Sequence, residues 1–143
     1  MADEAEKSIT LTRTIEAPVE EVFAAWTDPA LLEQWQAEHV EFEAFEGGIF
    51  RFETTNEDNP SERHIVNGRV LAIEQDHKLV ETWQFGDAET DESTLIISFR
   101  PLDEERTEIT LVEVAESHAD AESRIFSIDA WSAALDELAE LLE

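Results

Sequence analysis

The stretch APVEEVFAAWTDPALLEQW, residues 17–35, holds two short helical patterns divided by Asp28-Pro29. In the first, Val19, Val22, Phe23 and Trp26 recur at spacings of three and four, which makes one apolar stripe. Pro18 opens it, because a missing N–H costs nothing at a first helical position, and Glu20 and Glu21 sit at the favourable end of the dipole. In the second, Asp28 caps, Pro29 opens, and Leu31, Leu32 and Trp35 form the stripe. Neither helix is long enough to be stable alone. Both must lean on a larger surface, and two of the chain's four tryptophans point towards it.

That surface is a run of strands. Upstream, SITLTRTIEA alternates Ile9, Leu11, Arg13 and Ile15 against Thr10, Thr12 and Thr14, a half-buried strand. Downstream, HVEFEAFE alternates Val40, Phe42 and Ala44, turns at Gly47-Gly48, and returns as IFRFETT. NEDNPS reads as a loop around Pro60. HIVNGRVLAIE follows as a longer strand in which Gly68 marks a bulge. After a turn at Asp76–Lys78, LVETWQF places Leu79, Glu81, Trp83 and Phe85 on one face. The loop GDAETDES leads to TLIISFRPL, a turn at Asp103–Glu105, and RTEITLVEVA. From about Ser117 the period becomes helical, with Ile125, Ile128, Trp131, Leu135, Leu138 and Leu142 at three- and four-residue spacings.

The order is therefore one strand, two short helices, six strands and a long helix. Successive strands on short turns form one antiparallel sheet, and the long helix must cover one face of it. The class is α+β. The length suits one domain, expected over residues 8–143 after a flexible segment at 1–7.

Charge is the strongest global feature. Thirty-six acidic residues face nine basic ones, a net charge of −27, and Lys7 and Lys78 are the only lysines. Such a field repels phosphates, so neither nucleic acid nor a membrane surface is an expected partner. The acids are spread along the chain, which fits adaptation to a salty cytoplasm rather than a basic partner. At 1 M salt the Debye length is only ~3 Å, and crowded carboxylates become tolerable. Stability is accordingly expected to climb as salt is added into the molar range. Melting curves in 0.1 and 2 M KCl test this, and a flat or falling midpoint refutes it.

No apolar run is long enough to span a bilayer, no signal-peptide pattern opens the chain, and there is no cysteine. A cytoplasmic monomer is the expectation. Chemistry is sparse. There is no nucleophile elbow, no phosphate-cradling glycine loop and no tyrosine, so no catalytic residue or cofactor is assigned. The histidines at 39, 64, 77 and 118 lack metal-ligand spacing. Asp87, Glu89 and Asp91 begin like a calcium loop, but Glu92 and Ser98 stand where Gly and Glu are required, so no metal site is expected.

The pattern from Arg13 to Trp35, R-T-I-x-A-P-x-E-x-V-F-x-A-W-T-D-P-x-x-L-x-x-W, resembles the start of the START-like helix-grip superfamily (SRPBCC). The group it is most similar to is that of the C-terminal domain of the activator of heat shock protein 90 ATPase. Gly47-Gly48 with Phe50, Asn67–Val70, Leu79–Trp83, Arg106–Leu111 and Ala130-Trp131 follow in the order that group shows. The resemblance implies a curved seven-stranded sheet gripping the C-terminal helix, with a cavity between them for a small apolar or amphipathic ligand. It also implies two alternatives, a chaperone-associated interaction module and a cavity cyclase or hydrolase. The eukaryotic chaperone activators carry an N-terminal chaperone-binding domain with no counterpart in these residues. Where relatives have Gly before the helix tryptophan, this chain has Ala130, which would tighten the helix against the sheet.

Within that cavity, Trp35, Phe42, Phe52, Trp83, Phe85, Ile128 and Trp131 are the expected apolar lining, although each taken singly also reads as core. Trp26 is assigned to packing. Trp35 is placed at the cavity mouth, its indole N–H meeting water. Arg13 shares the inward parity of Ile9, Leu11 and Ile15. Two roles fit it, an anchor for a ligand carboxylate or an internal partner of Glu113 on the neighbouring last strand. Arg51, Arg69 and Glu81 carry a weaker form of the same ambiguity.

Overall fold

The computed structural model describes residues 8–35, 37–55, 63–85, 93–115 and 120–143, without the side chains of residues 55, 63, 64 and 85. The N-terminal segment, the segments 56–62 and 86–92 expected as loops, the start of the partial calcium-loop pattern, His118, and the side chains of His64 and Phe85 therefore lie outside the described residues.

The chain runs β1 (Ser8–Ile15), α1 (Val19–Thr27), α2 (Pro29–Trp35), β2 (His39–Phe42), β3 (Ile49–Thr55), β4 (Arg63–Glu74), β5 (Lys78–Phe85), β6 (Ser93–Asp103), β7 (Arg106–Val114) and α3 (Ala121–Leu142). The strands form one curved antiparallel sheet in the order β1-β7-β6-β5-β4-β3-β2. Every neighbour is a hairpin except β1, which the two helices carry to the far edge beside β7. The antiparallel pairing of first strand with last is the one that the resemblance implies.

Asp28 caps α2 as expected: its Oδ1 accepts the Ala30 N–H at 2.9 Å. Pro18 sits one residue earlier than expected, as the N-cap of α1 rather than its first residue. Its extended backbone still turns the chain off β1. The strand expected from His39 onwards ends at Phe42. Beyond it the Ile49 N–H is taken by the Glu43 side chain, and the turn closes through Gly47, whose φ of +86° only glycine adopts without strain. The bulge expected at Gly68 lies instead between Val70 and Ala72. Gly68 is in regular register, paired with Phe50 on one side and Trp83 on the other. It is glycine because the Phe50 ring lies across it.

Inward-facing strand residues (Ile9, Phe50, Phe52, Val70, Leu79, Leu95, Ile97, Ile109 and Leu111 among them) meet Trp26, Leu32, Trp35, Trp131, Leu135 and Leu138 from the helices. α3 lies against β1, α1 and α2. Ala130 is exposed, so it does not tighten this contact; it falls off the stripe carrying Trp131, Leu135 and Leu138. Among the described residues no helix is long and apolar enough to cross a membrane.

Candidate functional site

Strand alternation puts Leu79, Glu81 and Trp83 of β5 on the inner face, and Leu111 and Glu113 of β7 likewise. The register then aligns Glu81 with Leu95 and Leu95 with Glu113. Two carboxyl groups thus stand in one transverse row, two strands apart, or roughly 10 Å between backbones. Both are buried, Glu81 at 1% exposure and Glu113 at 6%.

Each carboxyl receives an indole N–H. Trp83 Nε1 donates to Glu81 Oε1 at 2.7 Å, and Trp131 Nε1 donates to Glu113 Oε2 at 3.2 Å. The two rings meet edge to face, 5.4 Å between centroids. Trp26 stacks beyond Trp131 at 6.2 Å and meets Trp35 edge-on at 4.8 Å. On the other flank Phe52 lies 5.3 Å and Phe50 5.9 Å from Trp83, and Phe42 stacks on Phe50. An unbroken aromatic wall therefore runs from Phe42 to Trp35. Each such pair contributes ~0.5–1.5 kcal/mol beyond its burial, so the wall is also a large part of the core.

Glu81 is the anomaly in it. Burial pushes its carboxyl up to about 8 from an ordinary 4.5, and the Trp83 hydrogen bond offsets only part of that. At pH 7 the group is therefore mostly neutral and can act as a hydrogen-bond donor. Its Oε2 is buried without a partner, and so is Nε1 of Trp26.

The expected lining is partly assembled. Phe52, Trp83 and Trp131 converge on the inner face, with Phe42 half-buried at its edge. Ile128 is 38% exposed, on the same stripe of α3 but short of the wall. Trp35 is buried and donates its N–H to the Ala25 carbonyl at 2.8 Å, so it does not meet water. It borders a separate groove of about 700 Å³ between α2 and α3, together with Glu33, Ala37, Glu137, Glu140 and Leu141. Arg13 does face inward, but its register partner is Ile109, and Ile9 faces Glu113. Four positions separate Arg13 from Glu113, too far to pair. Arg13 reaches Asp136 on α3 instead, which leaves it an ion pair between strand and helix rather than a free anchor.

Sequence alone ranks Glu81 below Arg13. The signal that raises it is parity: a carboxylate between Leu79 and Trp83 on the inner face of a central strand. On the outer face, depressions of about 450 and 600 Å³ adjoin each other at Ile49, Asn67 and Gly68. Among the described residues no group of His, Asp or Glu is placed to hold a metal ion.

A curved antiparallel sheet holding a long C-terminal helix, with two short helices between its first strands, defines a START-like helix-grip protein. The chain belongs to the Activator of Hsp90 ATPase homolog 1-like family, whose model matches residues 16–143. Among solved structures it is similar to a protein of Chromobacterium violaceum, at 26% identity and a TM-score of 0.82, over 96% of this chain and 97% of that one. A protein of Rhodobacter sphaeroides is 22% identical with a TM-score of 0.82, over 96% and 92%. DynU16, from the dynemicin biosynthetic locus, is 20% identical with a TM-score of 0.81; the match covers 95% of this chain and 47% of that one. No curated protein matches in sequence.

Proposed function

We propose that this protein binds a small apolar or amphipathic molecule between its sheet and α3. The observation that carries the reading is the uneven docking of the helix. Trp131, Leu135 and Leu138 in the second half of the helix are buried, whereas Ile125, Phe126 and Ile128 in its first half stay 60%, 75% and 38% exposed. An apolar half-helix left uncovered, running into the aromatic wall at Trp131, fits an opening to an interior site. Behind that opening stand Trp131, Trp83 and Phe52, with the two carboxyl groups as polar points in an otherwise apolar wall. The fold family's association with hydrophobic ligands favours the same assignment.

The test is an NMR titration of the four indole N–H signals in high salt, with fatty acids, sterols and polycyclic aromatics added in turn. Saturable shifts are expected at Trp83 and Trp131. Trp35, whose N–H is held by Ala25 behind Trp26, serves as the internal control. Absence of saturable shifts with every compound class would refute the reading.

A further inference from the structure

The outer face of the sheet carries an anomaly of charge. Of the 143 residues 36 are acidic, yet the pairing lines up Ile49, Arg69, Thr82, Thr94 and Val114 across five strands without one acid. The next row, Ala72, Val80, Ile96 and Val112, has none either. In that gap lies the depression of about 450 Å³. Its polar lining is Asn67, Arg69, Thr82, Gln84 and Thr94. Its apolar lining is Ile49 and Leu71, 60% and 47% exposed. Arg69 is the one charged residue among them.

Elsewhere the chain spends its arginines on its own acids. Arg13 pairs with Asp136, Arg51 with Glu53 at 3.8 Å, Arg100 with Glu108 at 3.0 Å and Arg106 with Asp103 at 2.8 Å. The Arg69 guanidinium has no carboxylate partner among the described residues, although acids outnumber bases 36 to 9. Its backbone N–H donates to Thr82 Oγ1 at 3.1 Å, which fixes the start of the side chain beside β5 and leaves the Thr82 hydroxyl proton to be donated in turn. The adjoining depression of about 600 Å³ differs in this respect. It sets Glu41 and Glu43 beside Arg51, so the positive charge there is already offset.

We propose that this outer depression binds a small hydroxylated carboxylate of the sugar-acid kind, with its carboxylate on the Arg69 guanidinium. The planar guanidinium fork matches a carboxylate through two parallel N–H bonds. One arginine balances one negative charge. A monoanion therefore fits better than a phosphate dianion, which a net charge of −27 would repel more strongly. A bare carboxylate would leave most of the depression unused. Amide and hydroxyl side chains both donate and accept, as ligand hydroxyls do, so Asn67, Gln84, Thr82 and Thr94 suit a hydroxylated ring. Ile49 and Leu71 suit its C–H faces. The depression lies on the opposite face of the sheet from the interior site proposed above and does not depend on it.

The matched probes are D-glucuronate and D-glucuronamide, which differ in charge but scarcely in shape, titrated by NMR against the isotope-labelled full chain in high salt of constant ionic strength. The Arg69 Nε–H and the side-chain amides of Asn67 and Gln84 are expected to shift saturably. Glucuronate should bind about fivefold tighter than glucuronamide, the upper end for an exposed ion pair. Arg69→Gln should close that gap, and Arg51→Gln, beside the adjoining depression, should leave it. Both arginines are exposed, so neither change threatens the fold. The indole N–H signals of Trp26 and Trp131, on the inner side, should stay still. Equal binding of the two probes, or a gap that survives Arg69→Gln, overturns the carboxylate assignment. Saturable shifts at the Trp83 and Trp131 indoles instead would put the ligand inside and overturn the outer site. Failure of glucuronate to bind overturns it too, and leaves the interior site standing, since the probes for that site are apolar.

Discussion

Glu81→Gln is expected to stabilise the protein by about 5 kcal/mol above pH 8 while changing its stability little at pH 4. Below about pH 4.5 the wild-type carboxyl is protonated in both the folded and the unfolded chain, and Gln is its near-isostere. Between 4.5 and about 8 the unfolded chain loses the proton and the folded one keeps it. The stability this group contributes is then lost by about 1.4 kcal/mol per pH unit. Past about 8 the folded carboxyl ionises too, and the loss levels off. Gln does not titrate, so the difference between the two proteins should be flat, then sloping, then flat again. Taking the difference removes the other carboxylates, whose mutual repulsion also varies with pH. Urea unfolding at constant high salt, at pH 4, 6, 8 and 9, measures it. Parallel profiles for the two proteins would mean that Glu81 is ionised in the fold, and the buried neutral carboxyl would have to be abandoned.

How much of this is legible in the sequence depends on which periodicity each residue obeys. Alternation and helical spacing settle the order of elements, and parity correctly turns Arg13 and Glu113 to the same face. Parity says nothing about how far along a strand two residues stand. The register that separates Arg13 from Glu113 by four positions comes from where β1 starts relative to β7. Nor can strand parity find Asp136, which reaches Arg13 from α3, where rotation about the helix axis decides which residues point at the sheet. That rotation also leaves Ala130 exposed and Trp131 inward.

Glu81 is hidden for a different reason. In a chain with 36 acidic residues, a single glutamate carries little information until its neighbours on the face are considered. Its flanks at two residues either side are Leu79 and Trp83, which no solvated glutamate would choose. The cavity that the resemblance implies makes the tryptophans of residues 17–35 one packing residue and one mouth residue. In the fold they are a crossed pair. Trp35 is tied back to Ala25 and braces Trp26, which is the member that carries the unmet N–H.

The second large effect is expected at Gly68, where Gly68→Ala should cost about 3 kcal/mol, at the upper end of overpacking penalties. A Cβ there would come within 2.6 Å of Phe50 Cε1, and closer still to Phe50 Cζ and the Thr82 carbonyl oxygen. The ring could yield by rotating away, but the carbonyl belongs to the β5 backbone beside it, so the β4–β5 pairing itself must open. Gly47→Ala is the control. Gly47 needs its positive φ, yet an added methyl would meet nothing within 4 Å, so only backbone strain of about 1 kcal/mol is expected. The two alanine variants therefore separate conformational cost from steric cost. The consequence at Gly68 extends to the site, because Phe50 occupies the space over this glycine and is in ring contact with Trp83 and Phe52. Displacing it should move the Trp83 indole signal along with the midpoint of unfolding. A loss below 1 kcal/mol with an unmoved Trp83 signal would show that the strands part easily here. In that event the inner wall would be softer than its packing implies, and the interior site proposed behind Trp83 would lose its rigid frame.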